Sequence, residues 1–137
     1  MMYPVSYEPY SENSVFPNKV TMQAPVEGTV HREAYLLGSA VNPLPKTKRV
    51  LEQGAHLYQN FCVMCHGETG KGDGKVAAKF LPPPDYQSER VMALSSADIF
   101  AVITAGKGAM PPHAGQVDPL ERWKIVHYIQ SELQGKE

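Results

Sequence analysis

The sequence predicts a small all-α domain with long loops, preceded by an extended, proline-rich N-terminal arm. Three observations predict it. Apolar residues recur at spacings of three and four in three separate stretches, the period of one helix face. Most of the 12 prolines and 11 glycines fall outside those stretches, where they favour turns and extended chain. The alternation of strands and helices that builds a parallel sheet is missing. A length of 137 residues suits one domain with a modest core. The division falls between an arm over residues 1–45 and a domain over residues 46–137.

The arm contains six prolines (Pro4, Pro9, Pro17, Pro25, Pro43 and Pro45) and the aromatics Tyr3, Tyr7, Tyr10, Phe16 and Tyr35. Two readings compete, a mobile tail and an extended arm that packs on its own domain or on a neighbouring protein; the regular aromatics favour the arm, because disordered linkers tend to be poor in them. Residues 24–30 and 34–40 are candidate short strands or contacts. From Thr47 the period becomes helical. Val50, Leu51, Gly54, Leu57, Tyr58 and Phe61 form one face, and the helix runs directly into Cys62. Residues 67–92 read as loop. The triple proline 82–84 excludes helix there, while a short helical stretch is expected over 76–80. The next helix, 95–106, opens with Ser95 and Asp98 at capping-box spacing and ends at Gly106, a terminator. Its core face is Ile99, Val102 and Ile103. Residues 107–119 are loop again. The last helix is expected from Pro119, which suits a first turn, to Leu133. Its core candidates are Leu120, Trp123, Val126, Tyr128, Ile129 and Leu133.

Composition excludes some functions. The formal net charge of −1 implies no nucleic-acid or polyanion partner. No apolar run approaches the ~20 residues that a membrane-spanning helix needs. The first residues have neither a basic start nor an apolar core of the kind found in a secretory signal.

The chemistry concentrates at Cys62-Val63-Met64-Cys65-His66, which contains the only two cysteines. The C-x-x-C-H spacing is that of a c-type haem attachment site. Two thiols one helical turn apart reach both vinyl groups of one haem, and the adjoining imidazole of His66 faces the iron. Three other uses of the cysteines fit less well. A structural zinc site needs four ligands, and only a distant histidine such as His56, His113 or His127 could complete it. A thioredoxin-type redox pair belongs in an α/β fold. A Cys62–Cys65 disulfide would close a short, strained loop. The glycines that follow do not match a phosphate-binding loop, because Val76 follows Gly74-Lys75 and Thr69 replaces the first glycine.

The second face of the iron would be met by Met110, in an irregular loop between two helices that Pro111 and Pro112 stiffen. His113 is its rival, and bis-histidine ligation would lower the potential. Met92, His31, His56 and His127 are weaker candidates. An iron left open would instead suit a haem enzyme or gas sensor.

With these residues the sequence resembles the class I monohaem c-type cytochromes. The resemblance implies that Gly54, eight residues before the first cysteine, packs against Tyr128 with Tyr58 beside it. It also implies that the first and last helices cross there at near right angles. Pro82, Pro83, Pro84 and Trp123 would wall the haem pocket. Over residues 25–34, 51–76 and 101–129 the chain is similar to the small cytochrome c subunit of bacterial alternative complex III, a membrane quinol oxidoreductase. Where that family often has tyrosine after its methionine-proline loop, this chain has Pro112-His113. The resemblance implies one covalent haem c and electron transfer rather than enzyme chemistry. It implies partners among the subunits of a quinol-oxidising complex and a downstream cytochrome or terminal oxidase. It places the protein on the periplasmic side of the bacterial inner membrane, with a targeting or lipid-anchoring segment expected ahead of Met1. The competing expectation is a freely diffusing shuttle of the same fold, for which so long an arm has no evident use. Lys71, Lys75, Lys79 and Lys107 would form a weakly basic rim that steers an acidic redox partner.

Overall fold

The computed structural model describes residues 41–79 and 81–136 and, in the N-terminal part, residues 12–21 with the single positions 7, 23, 26, 28 and 29. Tyr3, Tyr10, Tyr35, His31 and most of the two candidate strand stretches lie outside these. The chain divides into two units, residues 1–31 and 32–137.

In the first unit the described stretch is not extended. It closes into a hairpin-like turn, with Glu12 and Val20 in an antiparallel bridge. Asn13 supplies the reason. Its carboxamide oxygen accepts from the Val15 amide at 2.7 Å, and its own amide donates to the Lys19 carbonyl at 3.0 Å. Pro17 holds the tip, and Lys19 takes the left-handed conformation with φ 54°.

Among the described residues of the second unit every named element is helical. α1 covers Lys48–Phe61 and is capped by the Thr47 side chain, which accepts from the Val50 amide. α2 is a single turn, Val63–His66. A 3-10 turn follows at Ala77–Lys79, within the stretch expected to be helical. α3, Glu89–Met92, is one turn in a region expected to be all loop. α4 covers Ser96–Ala105, with the Ser95–Asp98 capping box and Gly106 at its end. α5 covers Pro119–Tyr128 and carries a second capping box, Asp118 with Glu121. It continues as a π-helical turn over Ile129–Leu133.

The core joins these elements around α1, α4 and α5. Tyr58, Phe100, Trp123, Ile125, Val126 and Val117 are almost wholly buried. Two expected core positions are exposed. Leu120 and Phe61 are 38% and 37% exposed. Leu120 lies in the first turn of α5, and Phe61 in the last of α1, beyond the reach of the packed faces. α1 and α5 meet at Gly54. A Cβ there would lie 2.3 Å from the Lys124 carbonyl oxygen and 3.0 Å from Tyr128 Cβ, so only glycine permits this approach. The Tyr58 and Tyr128 rings meet beside it, centroids 5.3 Å apart.

Candidate functional site

The cysteine motif forms because α1 is extended by one further turn. The Cys62 amide donates to the Tyr58 carbonyl at 2.8 Å, and the Cys65 and His66 amides both donate to the Cys62 carbonyl, at 3.2 and 2.9 Å. This stacks the two thiols on one helical edge with His66 at its end. Both thiols are free, Cys62 half-buried and Cys65 exposed. Burial, and then the neighbouring Cys65, push the Cys62 thiol up to about 12, so it stays protonated in the unreacted chain. Met64 between them points outward, 47% exposed.

His66 is the better-defined group. Its ring stacks on Tyr86 with centroids 4.9 Å apart and planes 20° from parallel. Burial, and then the charge of His113, lower its pKa to about 4. The imidazole is therefore neutral near pH 7, the form that binds a metal. Tyr86 is itself fixed: its amide donates to the Gly70 carbonyl at 3.0 Å, and its ring meets that of Tyr58 edge-on, centroids 6.3 Å apart. The Tyr58 hydroxyl donates to the Gly67 carbonyl at 2.7 Å. The glycine-rich loop packs tightly behind this turn. A Cβ at Gly74 would collide with the Met64 and Cys65 backbone, and one at Gly72 with the Pro83 carbonyl oxygen, 2.1 Å away.

On the opposite loop Met110 is half-buried and packs on the core. Met110 and Lys107 exchange two backbone hydrogen bonds, both 3.1 Å. Gly106, at φ 74°, lies directly beneath residues 110–112, where a Cβ would strike the Met110 carbonyl oxygen. His113 is tied back by its amide to the Ile103 carbonyl at 3.0 Å. Its electrostatic effect on His66 puts both imidazoles in one region.

The remaining expected residues lie as follows. Trp123 is fully buried and stacks on Phe100, centroids 4.2 Å apart. Pro83 is half-buried, whereas Pro82 and Pro84 are exposed. Lys71, Lys75, Lys79 and Lys107 are all exposed. Met92 sits in α3, its carbonyl accepting from Lys136 Nζ at 2.7 Å. His127 Nε2 lies 2.8 Å from the Leu44 carbonyl oxygen, and His56 pairs with Asn60. Sequence reading missed Tyr86 and Arg122. Tyr86 lies in a loop without period, and a charged residue carries no signal of burial.

The donor set suits haem c. Two unpaired thiols, a neutral imidazole and a half-buried thioether belong to one helical unit. His66 Nδ1 and His113 Nδ1 are both buried without a hydrogen-bond partner, a state that native proteins seldom leave uncompensated. Among the described residues no three histidine, cysteine or acidic side chains converge to hold a bare metal ion.

The family described as cytochrome c oxidase, cbb3-type, subunit III matches residues 49–129. Cytochrome c6 of Anabaena variabilis is 37% identical over 76 residues, covering 56% of this chain and 84% of that protein. Among solved structures, the reducing HAO-like protein complex of Kuenenia stuttgartiensis contains a chain 30% identical, with a TM-score of 0.61 over 72% of this chain. The match covers 49% of that chain, so this protein spans about half its length. Cytochrome cL of Methylophaga aminisulfidivorans, 18% identical, agrees in fold alone, with a TM-score of 0.56 over 77% of this chain and 68% of its own.

Proposed function

We propose, for a chain that belongs to the c-type cytochrome family described as cytochrome c oxidase, cbb3-type, subunit III, that it is the electron-transfer subunit of a membrane quinol oxidoreductase of the alternative complex III type. As a member of that family it is a monohaem electron carrier with covalently attached haem c. Cys62 and Cys65 would hold the haem through thioethers, with His66 as proximal ligand and Met110 as distal ligand. When bound, the haem supplies an iron that passes between ferrous and ferric states. The chain's own residues set the conditions. Tyr86 holds the His66 ring in orientation. The packed Gly106 turn holds Met110. Trp123, Pro82 and Pro83 are assigned to the pocket wall that limits water. Burial and a thioether ligand both favour the ferrous state, so the potential should be positive.

The subunit reading rests on apolar side chains that the N-terminal part leaves uncovered. Tyr7, Val15 and Val26 are 54%, 72% and 81% exposed. Their burial on neighbouring subunits gives the arm a use that a diffusing shuttle lacks. The end of the arm nearest the domain is tied down: Asn42 donates to the Trp123 carbonyl at 2.8 Å, and Leu44 meets His127. The docking segment therefore lies ahead of Asn42. No helix among the described residues is long and apolar enough to cross a membrane, so the arm carries the membrane association in this reading.

The test is a haem-stained native gel of membranes solubilised in mild detergent, with mass spectrometry of the stained band. The reading expects this polypeptide in a large band with iron–sulfur and integral-membrane partners. If it migrates alone and washes from membranes with salt, it is a periplasmic shuttle.

A further inference from the structure

Arg122 on α5 is buried to 3% exposure. No carboxylate among the described residues forms an ion pair with it. A buried guanidinium without a paired carboxylate is costly, so its remaining contacts are informative. Nε donates to the Val117 carbonyl at 3.1 Å. Nη1 donates to the Thr104 hydroxyl at 2.5 Å, which in turn donates to the Phe100 carbonyl at 2.7 Å. The Arg122 Cζ lies over the Phe100 ring, 5.0 Å from the centroid.

Thr104 and Val117 are the two ends of the loop that carries Met110. Thr104 lies in the last turn of α4, and Val117 immediately precedes the N-cap of α5. One rigid fork thus spans the loop's two feet. A lysine could not do this, because its single ammonium lacks the fixed two-pronged geometry. Within the loop the Lys107–Met110 bridge holds the middle, and the backbone links the feet only in two steps, His113 amide to Ile103 carbonyl and Val117 amide to His113 carbonyl, both 3.0 Å, whereas Arg122 joins them through one side chain.

We propose that Arg122 is a positioning residue. It clasps both ends of the 106–117 loop, and this clasp limits how readily another ligand displaces Met110 from the iron. The inference rests on Met110 as the distal ligand. A thioether is a weak ligand, so its occupancy depends on how often the loop that carries it opens.

The test uses the holoprotein and its Arg122→Met, Arg122→Lys and Thr104→Val variants. Two quantities are read: amide hydrogen exchange across residues 106–117, and the affinity of the ferric form for imidazole. Arg122→Met should speed exchange in the loop and tighten imidazole binding by about ten- to one-hundred-fold, the range set by losing a hydrogen bond to a charged group. Arg122→Lys should recover little of this, and Thr104→Val should give a smaller change in the same direction. Val91→Ala, which thins the core at α3 instead, should move neither quantity relative to wild type. Unchanged imidazole affinity and loop exchange in Thr104→Val and Arg122→Met overturn the proposal. Thr104→Val decides alone if Arg122→Met yields no holoprotein. Should Met110→Ala itself leave imidazole affinity unchanged, the distal-ligand reading fails, and the proposal with it.

Discussion

Met110 and His113 stand three residues apart on one loop, yet the backbone treats them differently. Met110 is bridged to Lys107 over Gly106, while His113 is bonded to the end of α4. Met110→Ala should abolish the methionine–iron charge-transfer absorbance of the oxidised protein and lower the midpoint potential, whereas His113→Ala should leave both in place. Optical spectra and a potentiometric titration decide it. A variant lacking Met110 with an unaltered spectrum would return His113 to the ligand position. At this scale the attachment residues were legible because their chemistry is written in a fixed spacing. Arg122 was not, since a charged residue next to Glu121 looks in the sequence like one solvated by water. Tyr86 and Val117 were equally hidden, because loop residues become core only through contacts made far along the chain.

Helices were read from period and caps, and both signals held where they were strong. α1 and α4 begin and end within a residue or two of their expected limits. The second capping box, Asp118 with Glu121, carries the same signature as the first and was open to the same reading. α3 escaped because a single turn is too short to show a period. Leu120 was misplaced because period alone does not say where a packed face stops. The α1–α5 crossing gives the prediction proper to this scale. In Gly54→Ala the new methyl would meet a backbone carbonyl at 2.3 Å, which cannot rotate aside. The helices must part, at a cost of about 1–3 kcal/mol for overpacking even after alanine's better helix propensity is counted. Denaturant unfolding of the holoprotein should show that loss, and undiminished stability would mean the helices are looser than described.

For the molecule as a whole, the buried tyrosine pair makes stability depend on alkaline pH. Burial holds the Tyr58 and Tyr86 hydroxyls above their ordinary range. In the unfolded chain each ionises near ~10. Below that pH both states keep the proton and the pair adds no slope. Above it the unfolded state releases protons that the native state retains, so stability falls as pH rises, by up to about 1.4 kcal/mol per pH unit for each tyrosine. The double variant Tyr58→Phe with Tyr86→Phe should flatten that decline between about pH 10 and 11, as read by unfolding at a series of pH values. It should also be less stable at neutral pH, because the Gly67 carbonyl loses its donor. A decline of unchanged steepness would place its origin in other groups.

The chain that leads into α1 adjoins the chain that leaves the last helix. The Lys46 ammonium lies 3.5 Å from the Lys136 carbonyl oxygen, and Asn42 is bonded to the last helix. A domain whose entry and exit adjoin can be spliced into a loop of another protein without stretching its host, or permuted by joining its ends and opening a new pair elsewhere. Such a unit is a portable electron relay, transferable between larger chains as a single cassette.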